Sequence, residues 1–255
     1  MSTQIIIGPL SLSSYTFWIG LCALPGIAWC VWRAGASWRD RLRVVDALLL
    51  IGACALAAGR AGYIALNAAY FAERPAEITL APAAGISEHA AIVGMLIGWR
   101  LSRRLKRPHP LSVAALASLV GIGASIGCIS NACAYGHEVF WTDGILWHLR
   151  VDWPDAYWRS NPRLPAQLLM VAWLIVCISI PALATPGTGG APHPLILWTL
   201  LFSAGDFVLQ FGRADPTSSM LPGLRIQQGL DIGLFALAFV AGVSRLPRPA
   251  RRLQG

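Results

Sequence analysis

AQLLMVAWLIVCISIPAL, Ala166–Leu183, decides the architecture. The stretch carries no charge, and its apolar residues show neither the alternation of a half-buried strand nor the one-sided stripe of a helix lying on a soluble core. A helix needs roughly 20 such residues to cross about 30 Å of hydrocarbon, so the segment reads as a spanning helix. Outward from it lie comparable blocks at Tyr15–Trp32, Val44–Tyr70, Leu111–Cys133, Leu195–Phe211 and Gly229–Val243, with a shorter one at His89–Trp99. The 255 residues are 56% hydrophobic and 13% charged, too little polar sequence for a water-facing surface. Inside a bilayer every backbone polar group must be paired within a helix or a closed barrel, and blocks of this length without alternation exclude the barrel. The expectation is an all-α integral membrane protein, a bundle of about seven transmembrane helices forming one domain over residues 1–255.

The net charge of +8 is the balance a nucleic-acid binder shows, but the arginines stand at the ends of apolar blocks. That placement follows the positive-inside rule, and no nucleic-acid partner is expected. Arg33, Arg39, Arg41 and Arg43 follow the first block; Arg100, Arg103, Arg104, Lys106 and Arg107 follow the third; Arg245, Arg248, Arg251 and Arg252 close the chain. These mark the cytoplasmic side, which puts the N-terminus in the periplasm and the C-terminus in the cytoplasm. The turn TPGTGGAPHP between the fifth and sixth blocks carries no basic residue and sets no orientation by itself. A loop of about 30 residues, Tyr135–Pro165, holds Trp141, Trp147, Trp153 and Trp158, rings of the kind that settle at headgroup depth. The start, MSTQIIIGPLSLSS, has no positive segment ahead of an apolar run and is not read as a cleaved signal. No repeat of 20–50 residues and no inverted halves point to a repeat-built transporter.

Cys22, Cys30, Cys54, Cys128, Cys133 and Cys177 lie in or beside apolar blocks, where cysteine acts as a small hydrophobe. None has C-x2-C spacing, so no metal is expected, and no cofactor. Cys128 and Cys133, five apart on an expected helix, fall on different faces; a disulfide between them requires local unwinding.

Ionisable residues inside apolar blocks are expensive, at least about 2.5–3.5 kcal/mol at a helix centre, and are functional candidates by default. Arg60, His89, Asp206 and Asp231 qualify. Arg60 is either a structural arginine, paired with an acid or with helix-end carbonyls, or a phosphate clamp whose guanidinium fork matches phosphate oxygens. His89, opening the third block, is either a satisfied polar residue or a base and phosphate partner. Asp206 or Asp231 reads as the counter-charge of Arg60, and Arg213 with Asp215 as a local ion pair or as a cation at headgroup depth.

The residue order adds more. LSSYTFWIG, AGRAGYIALN, ISEHAAIVGMLIGWRLSRR, GASIGCISNACAYG, NPRLPAQLL, FVLQFGRADP and GLRIQQGL, in this sequence over nearly the whole chain, resemble the bacterial phosphatidylglycerol:prolipoprotein diacylglyceryl transferase family. GASIGCISNACAYG stands where that family's G-R-x-G-N-F-x-N-x-E-x-x-G belongs: Gly127, Asn131 and Gly136 match, whereas Ser125, Cys128 and Cys133 replace its arginine, asparagine and glutamate. Ala90 and Ala91 replace two glycines after the histidine, and Asp206 and Gln210 replace the arginine and glutamate of the sixth-helix motif, in which Arg213 and Asp215 remain.

The resemblance implies a multi-pass protein of the bacterial inner membrane that moves a diacylglyceryl group from phosphatidylglycerol to the thiol of a prolipoprotein cysteine. It implies His89 and Arg213 as catalytic residues, with Tyr15, Arg60, Asn131, Tyr135, Gly136 and Asp215 binding substrate. Its partners are then phosphatidylglycerol or a related phospholipid, the prolipoprotein and the membrane. The departures support an alternative: an inactive paralogue serving as a lipid-binding or accessory subunit of a membrane complex.

Overall fold

The structure, a computed structural model, describes residues 4–8, 10–78, 85–184, 193–216 and 219–244. The basic tail with Arg245, Arg248, Arg251 and Arg252, and all but the last two residues of the TPGTGGAPHP turn, lie outside them. A hairpin of β1 (Gln4–Ile7) and β2 (Leu10–Ser13) leads into α1 (Ser14–Trp32), followed by α2 (Trp38–Leu66), α3 (Ala68–Glu73), α4 (Glu88–Leu101) and α5 (Pro110–Ser130). Next come a short α6 (Ile145–His148), the hairpin of β3 (Val151–Pro154) and β4 (Ser160–Arg163), then α7 (Ala166–Ala184) and α8 (Pro194–Leu209). The hairpin of β5 (Ser219–Leu221) and β6 (Leu224–Arg225) enters α9 (Ile226–Val243).

Among the described residues six helical segments are long and apolar enough to cross a bilayer: Ser14–Trp32, Trp38–Leu66, Pro110–Ser130, Ala166–Ala184, Pro194–Gly212 and Ile226–Val243. The all-α membrane class stands, with a correction to the count. The block His89–Trp99 is a 14-residue helix, capped at Ser87 and ending in a 3-10 turn through Ser102–Arg104, at the arginine cluster. At about 1.5 Å per residue the helix alone falls short of the hydrocarbon thickness, yet Lys106 beyond it pairs with Asp40 at the start of α2, so α4 still returns the chain to the side on which α2 begins.

Burial is inverted relative to a soluble protein. Leu56, Leu183, Val208, Leu237 and Val240 are exposed, while His89, Gln167, Asp206, Gln210, Gln228 and Asp231 are buried. Such a distribution is stable only where the surrounding solvent is as apolar as the side chains it touches.

The chain forms two compact units, Thr16–Gly123 and Met1–Tyr15 with Ala124–Gly255. In the first, α2 and α4 pack through small residues. A Cβ on Gly98 would come within 2.8 Å of the Ile51 Cα, and one on Gly94 would strike the Cys54 carbonyl, so glycine at both places lets the backbones touch. At the basic end Lys106 pairs with Asp40 at 2.6 Å and Arg107 lies 4.3 Å over the Trp99 ring. In the second unit α8 packs against α7 and α9, with the Trp173 indole N–H donating to the Leu201 carbonyl at 3.0 Å.

Helix α5 ends earlier than the block Leu111–Cys133 suggests. After Ser130 the chain turns through Ala132 (φ 51°) and Ala134 (φ 54°), and Cys128 and Cys133 form a disulfide with Cα atoms 4.7 Å apart. The expectation that these two cysteines face apart is therefore corrected. The unwinding that pairing required is present, because a left-handed residue on each side of Cys133 folds it back over the last helical turn.

Candidate functional site

In the unit containing α7–α9, the turn after α5 supplies one wall of the candidate site. The Asn131 side-chain amide donates to the Ser14 hydroxyl and to the Gly127 carbonyl, both at 2.8 Å, fixing the turn beside Tyr15. The Tyr135 carbonyl accepts from Ala214 N–H at 2.9 Å, the His137 N–H donates to the Gly212 carbonyl at 3.0 Å, and Gly136 pairs antiparallel with Arg213. Gly136 must be a glycine, since a Cβ there would run into the Leu164 carbonyl. Residues 135–137 thus hold the backbone that carries Arg213.

The Arg213 side chain is gripped by Asp215 in the bidentate manner that fixes a guanidinium plane, Nε at 2.9 Å and Nη2 at 2.7 Å from the two carboxylate oxygens. Arg225 completes the cluster. Its Nη1 lies 3.2 Å from Asp215 Oδ1, and its Nη2 donates to the carbonyls of Arg213 and Asp215 at 2.7 and 3.0 Å. A Pro222–Gly223 turn with Gly223 at φ 82° returns the chain so that Arg225 arrives beside Arg213. Burial pushes the Asp215 carboxyl up, but the hydrogen bond and charge of Arg213, joined by those of Arg225, outweigh it and hold the group below the usual carboxylate range.

Two buried glutamines back the cluster. The Gln228 side chain bridges the Arg225 N–H (2.9 Å) and the Phe207 carbonyl (3.1 Å). Gln210 donates to both oxygens of Asp206 at 3.2 Å, and its own Oε1, among the described residues, accepts no hydrogen bond. His137, Gln210, Arg213, Asp215, Arg225 and Gln228 are among the residues lining a cavity of about 390 Å³. Two guanidiniums with one carboxylate between them, a histidine and amide groups make a lining that suits a singly charged, hydroxyl-bearing anion.

A second arginine was missed as a candidate. Arg163, buried at the end of β4, pairs with Glu138 at 2.8 Å and Asp155 at 3.2 Å, and lies 5.1 Å over the Tyr135 ring. Asp155 is held below its ordinary range chiefly by the Arg159 backbone N–H, against a raising effect of burial, with help from the Tyr157 N–H and the charges of Arg163 and Arg159. This pair network braces the same Tyr135–Gly136 segment from the opposite strand, since Arg163 Nη1 also reaches the Gly136 carbonyl at 3.3 Å.

In the other unit, Arg60 lies in α2 and donates to the carbonyls of Glu77 (2.7 Å), Ile78 and Gly85 (both 3.3 Å), with its guanidinium 5.1 Å over the Phe71 ring. Those partners match the structural reading, an arginine satisfying free carbonyls. His89 is buried in the first turn of α4, whose N-cap Ser87 donates its N–H to the Gly59 carbonyl at 2.9 Å. The structure therefore brings Asn131, Tyr135, Gly136, Arg213 and Asp215 together, with Tyr15 beside Asn131's partner, and places Arg60 and His89 in the unit formed by Thr16–Gly123.

The sequence model described as prolipoprotein diacylglyceryl transferase matches residues 3–243. A protein of Synechococcus elongatus named phosphatidylglycerol–prolipoprotein diacylglyceryl transferase is 29% identical over 268 aligned positions, covering 97% of this chain and 91% of that protein. One of the same name from Bacillus cytotoxicus is 24% identical over 251, covering 92% and 88%.

Proposed function

The chain belongs to the prolipoprotein diacylglyceryl transferase family, and from that premise we propose that it is an active, divergent member which transfers a diacylglyceryl group from phosphatidylglycerol to a prolipoprotein cysteine. The observation that carries this reading is the Arg213–Asp215–Arg225 cluster lining the cavity. One net positive charge faces a space that fits a phosphate monoanion, and Gln210 offers an unused acceptor to a headgroup hydroxyl.

The reaction needs a thiolate and a stabilised leaving group. The cysteine sulfur attacks the glyceryl carbon bearing the phosphate oxygen; the S–C bond forms, the C–O bond breaks, and its electron pair leaves on glycerol phosphate. Arg213 carries the growing charge on phosphate, and His89 receives the thiol proton. Asn131, Tyr135 and Gly136 hold the wall, with Tyr15 and Arg60 contacting lipid. Residues 1–255 act as one functional domain with the N-terminus periplasmic and the C-terminus cytoplasmic. The Cys128–Cys133 disulfide supports this orientation, because such bonds persist on the oxidising side of the membrane.

A second reading, an inactive lipid-binding subunit, is favoured by Ser125 at the family's arginine position and by Asp206 and Gln210 bonding to each other. Complementation separates them. In cells depleted of their own transferase, the wild-type gene is expected to restore lipidation of a reporter lipoprotein, and Arg213→Ala to lower the rate about 10²–10³-fold, the usual value of one donor to developing charge. Absence of lipidation by correctly inserted wild type would leave the accessory reading.

A further inference from the structure

The disulfide sits where the site is built. Cys128 lies in the last turn of α5, Cys133 at the start of the wall, and the Cys133 carbonyl is taken by the buried Gln167 amide at 2.7 Å. Cys133 N–H returns to the Cys128 carbonyl at 3.0 Å, while Ala132 and Ala134 keep left-handed backbone that a non-glycine residue adopts only when held. Two residues on, Tyr135 and Gly136 bond to Ala214 and Arg213. The bond closes a loop of only five residues' separation, for which the effect on the unfolded chain is at the small end, so its consequence is local. Both cysteines are partly exposed and within reach of a small reductant, and the remaining four are free.

We propose that the Cys128–Cys133 disulfide is a redox-controlled positioning clamp: oxidised, it holds the 131–137 wall and through it the Arg213 guanidinium in place; reduced, it releases the turn and lowers the affinity of the cavity for a phosphate headgroup. Closure is a thiol–disulfide exchange. One cysteine thiolate attacks the disulfide of a thiol oxidoreductase, the second displaces it from the mixed disulfide, and the two protons and two electrons of the cysteine pair end on the oxidoreductase, which leaves as a dithiol. Opening is the reverse, driven by any dithiol. The ligand in this statement rests on the phospholipid reading of the cavity; the clamp itself does not.

The test uses the purified full-length chain in a neutral detergent. Binding of short-chain phosphatidylglycerol is followed by tryptophan fluorescence, and hydrogen exchange is followed in residues 131–137 and 213–215. Oxidised wild type is expected to bind, dithiothreitol to weaken binding at least tenfold with helical circular dichroism unchanged, and reoxidation to restore it. The double variant Cys128→Ser, Cys133→Ser is expected to bind weakly and to ignore reductant. Affinity unchanged within twofold, with mass spectrometry showing both thiols free, overturns the clamp, as does finding the pair reduced in protein taken from oxidising conditions. If phosphatidylglycerol does not bind the oxidised protein, yet reduction still speeds exchange in both segments at least tenfold, the clamp stands and the phospholipid reading falls.

Discussion

Asp215 carries more of the site than its position in a turn suggests, since two guanidiniums share its carboxylate. Asp215→Asn keeps the shape and removes the charge, leaving both half-buried arginines against a neutral amide. The expected cost is about 1.5–3 kcal/mol, the range for hydrogen bonds to charged groups, read as a lower thermal midpoint in detergent; an unchanged midpoint would show the cluster to be inert. The pH dependence has a definite sign. The folded carboxyl titrates below its ordinary value, so its stabilisation is complete above about pH 4 and is lost as pH falls through the lower folded value, a slope absent from Asp215→Asn. Arg213 and Asp215 were legible in the sequence because they stand two apart at a block end. Arg225 was not, because ten residues separate it from Asp215 and only the Pro222–Gly223 turn brings it back. Arg163 stood in a quoted motif, but nothing in the linear order shows that it sits over Tyr135.

At the scale of elements, apolar length located every long helix but not its ends. The block Leu111–Cys133 runs three residues past the end of α5, since alanine and cysteine are apolar whether helical or in a turn, and the two cysteines were placed on different faces for that reason. The Tyr135–Pro165 loop likewise hid a two-stranded hairpin, whose strands of four residues are too short to show a period. Trp141 and Trp158 are exposed there, Trp147 and Trp153 half-buried. The α2–α4 contact gives the expectation that belongs to this scale. Gly94→Leu places a branched side chain against the Cys54 carbonyl, and overpacking of this kind costs about 1–3 kcal/mol. Thermal unfolding should register it, whereas Val93→Leu on the exposed side of the same helix should not.

For the molecule as a whole, orientation is the property to measure. A reporter that is active only in the periplasm should be active when inserted after Asp143 and inactive after Lys106, by at least tenfold; the opposite pattern would reverse the topology and remove the oxidising side from the disulfide. Charge placement is what this expectation rests on, whereas the pairing of residues far apart in the chain has no such signal, because it depends on which helices meet. The inverted burial carries a last consequence, for how such a chain diverges. Lipid does not distinguish leucine from isoleucine, so the outer faces of its helices are free to drift among apolar residues. The buried Gln210 and Asp206 answer to each other's hydrogen-bonding needs, and Gln228 answers to the Arg225 N–H and the Phe207 carbonyl, so such positions change only in concert with their partners. In a lineage of this protein, innovation would therefore be written in the small polar vocabulary of its interior, where Asp206 and Gln210 share one buried helix end.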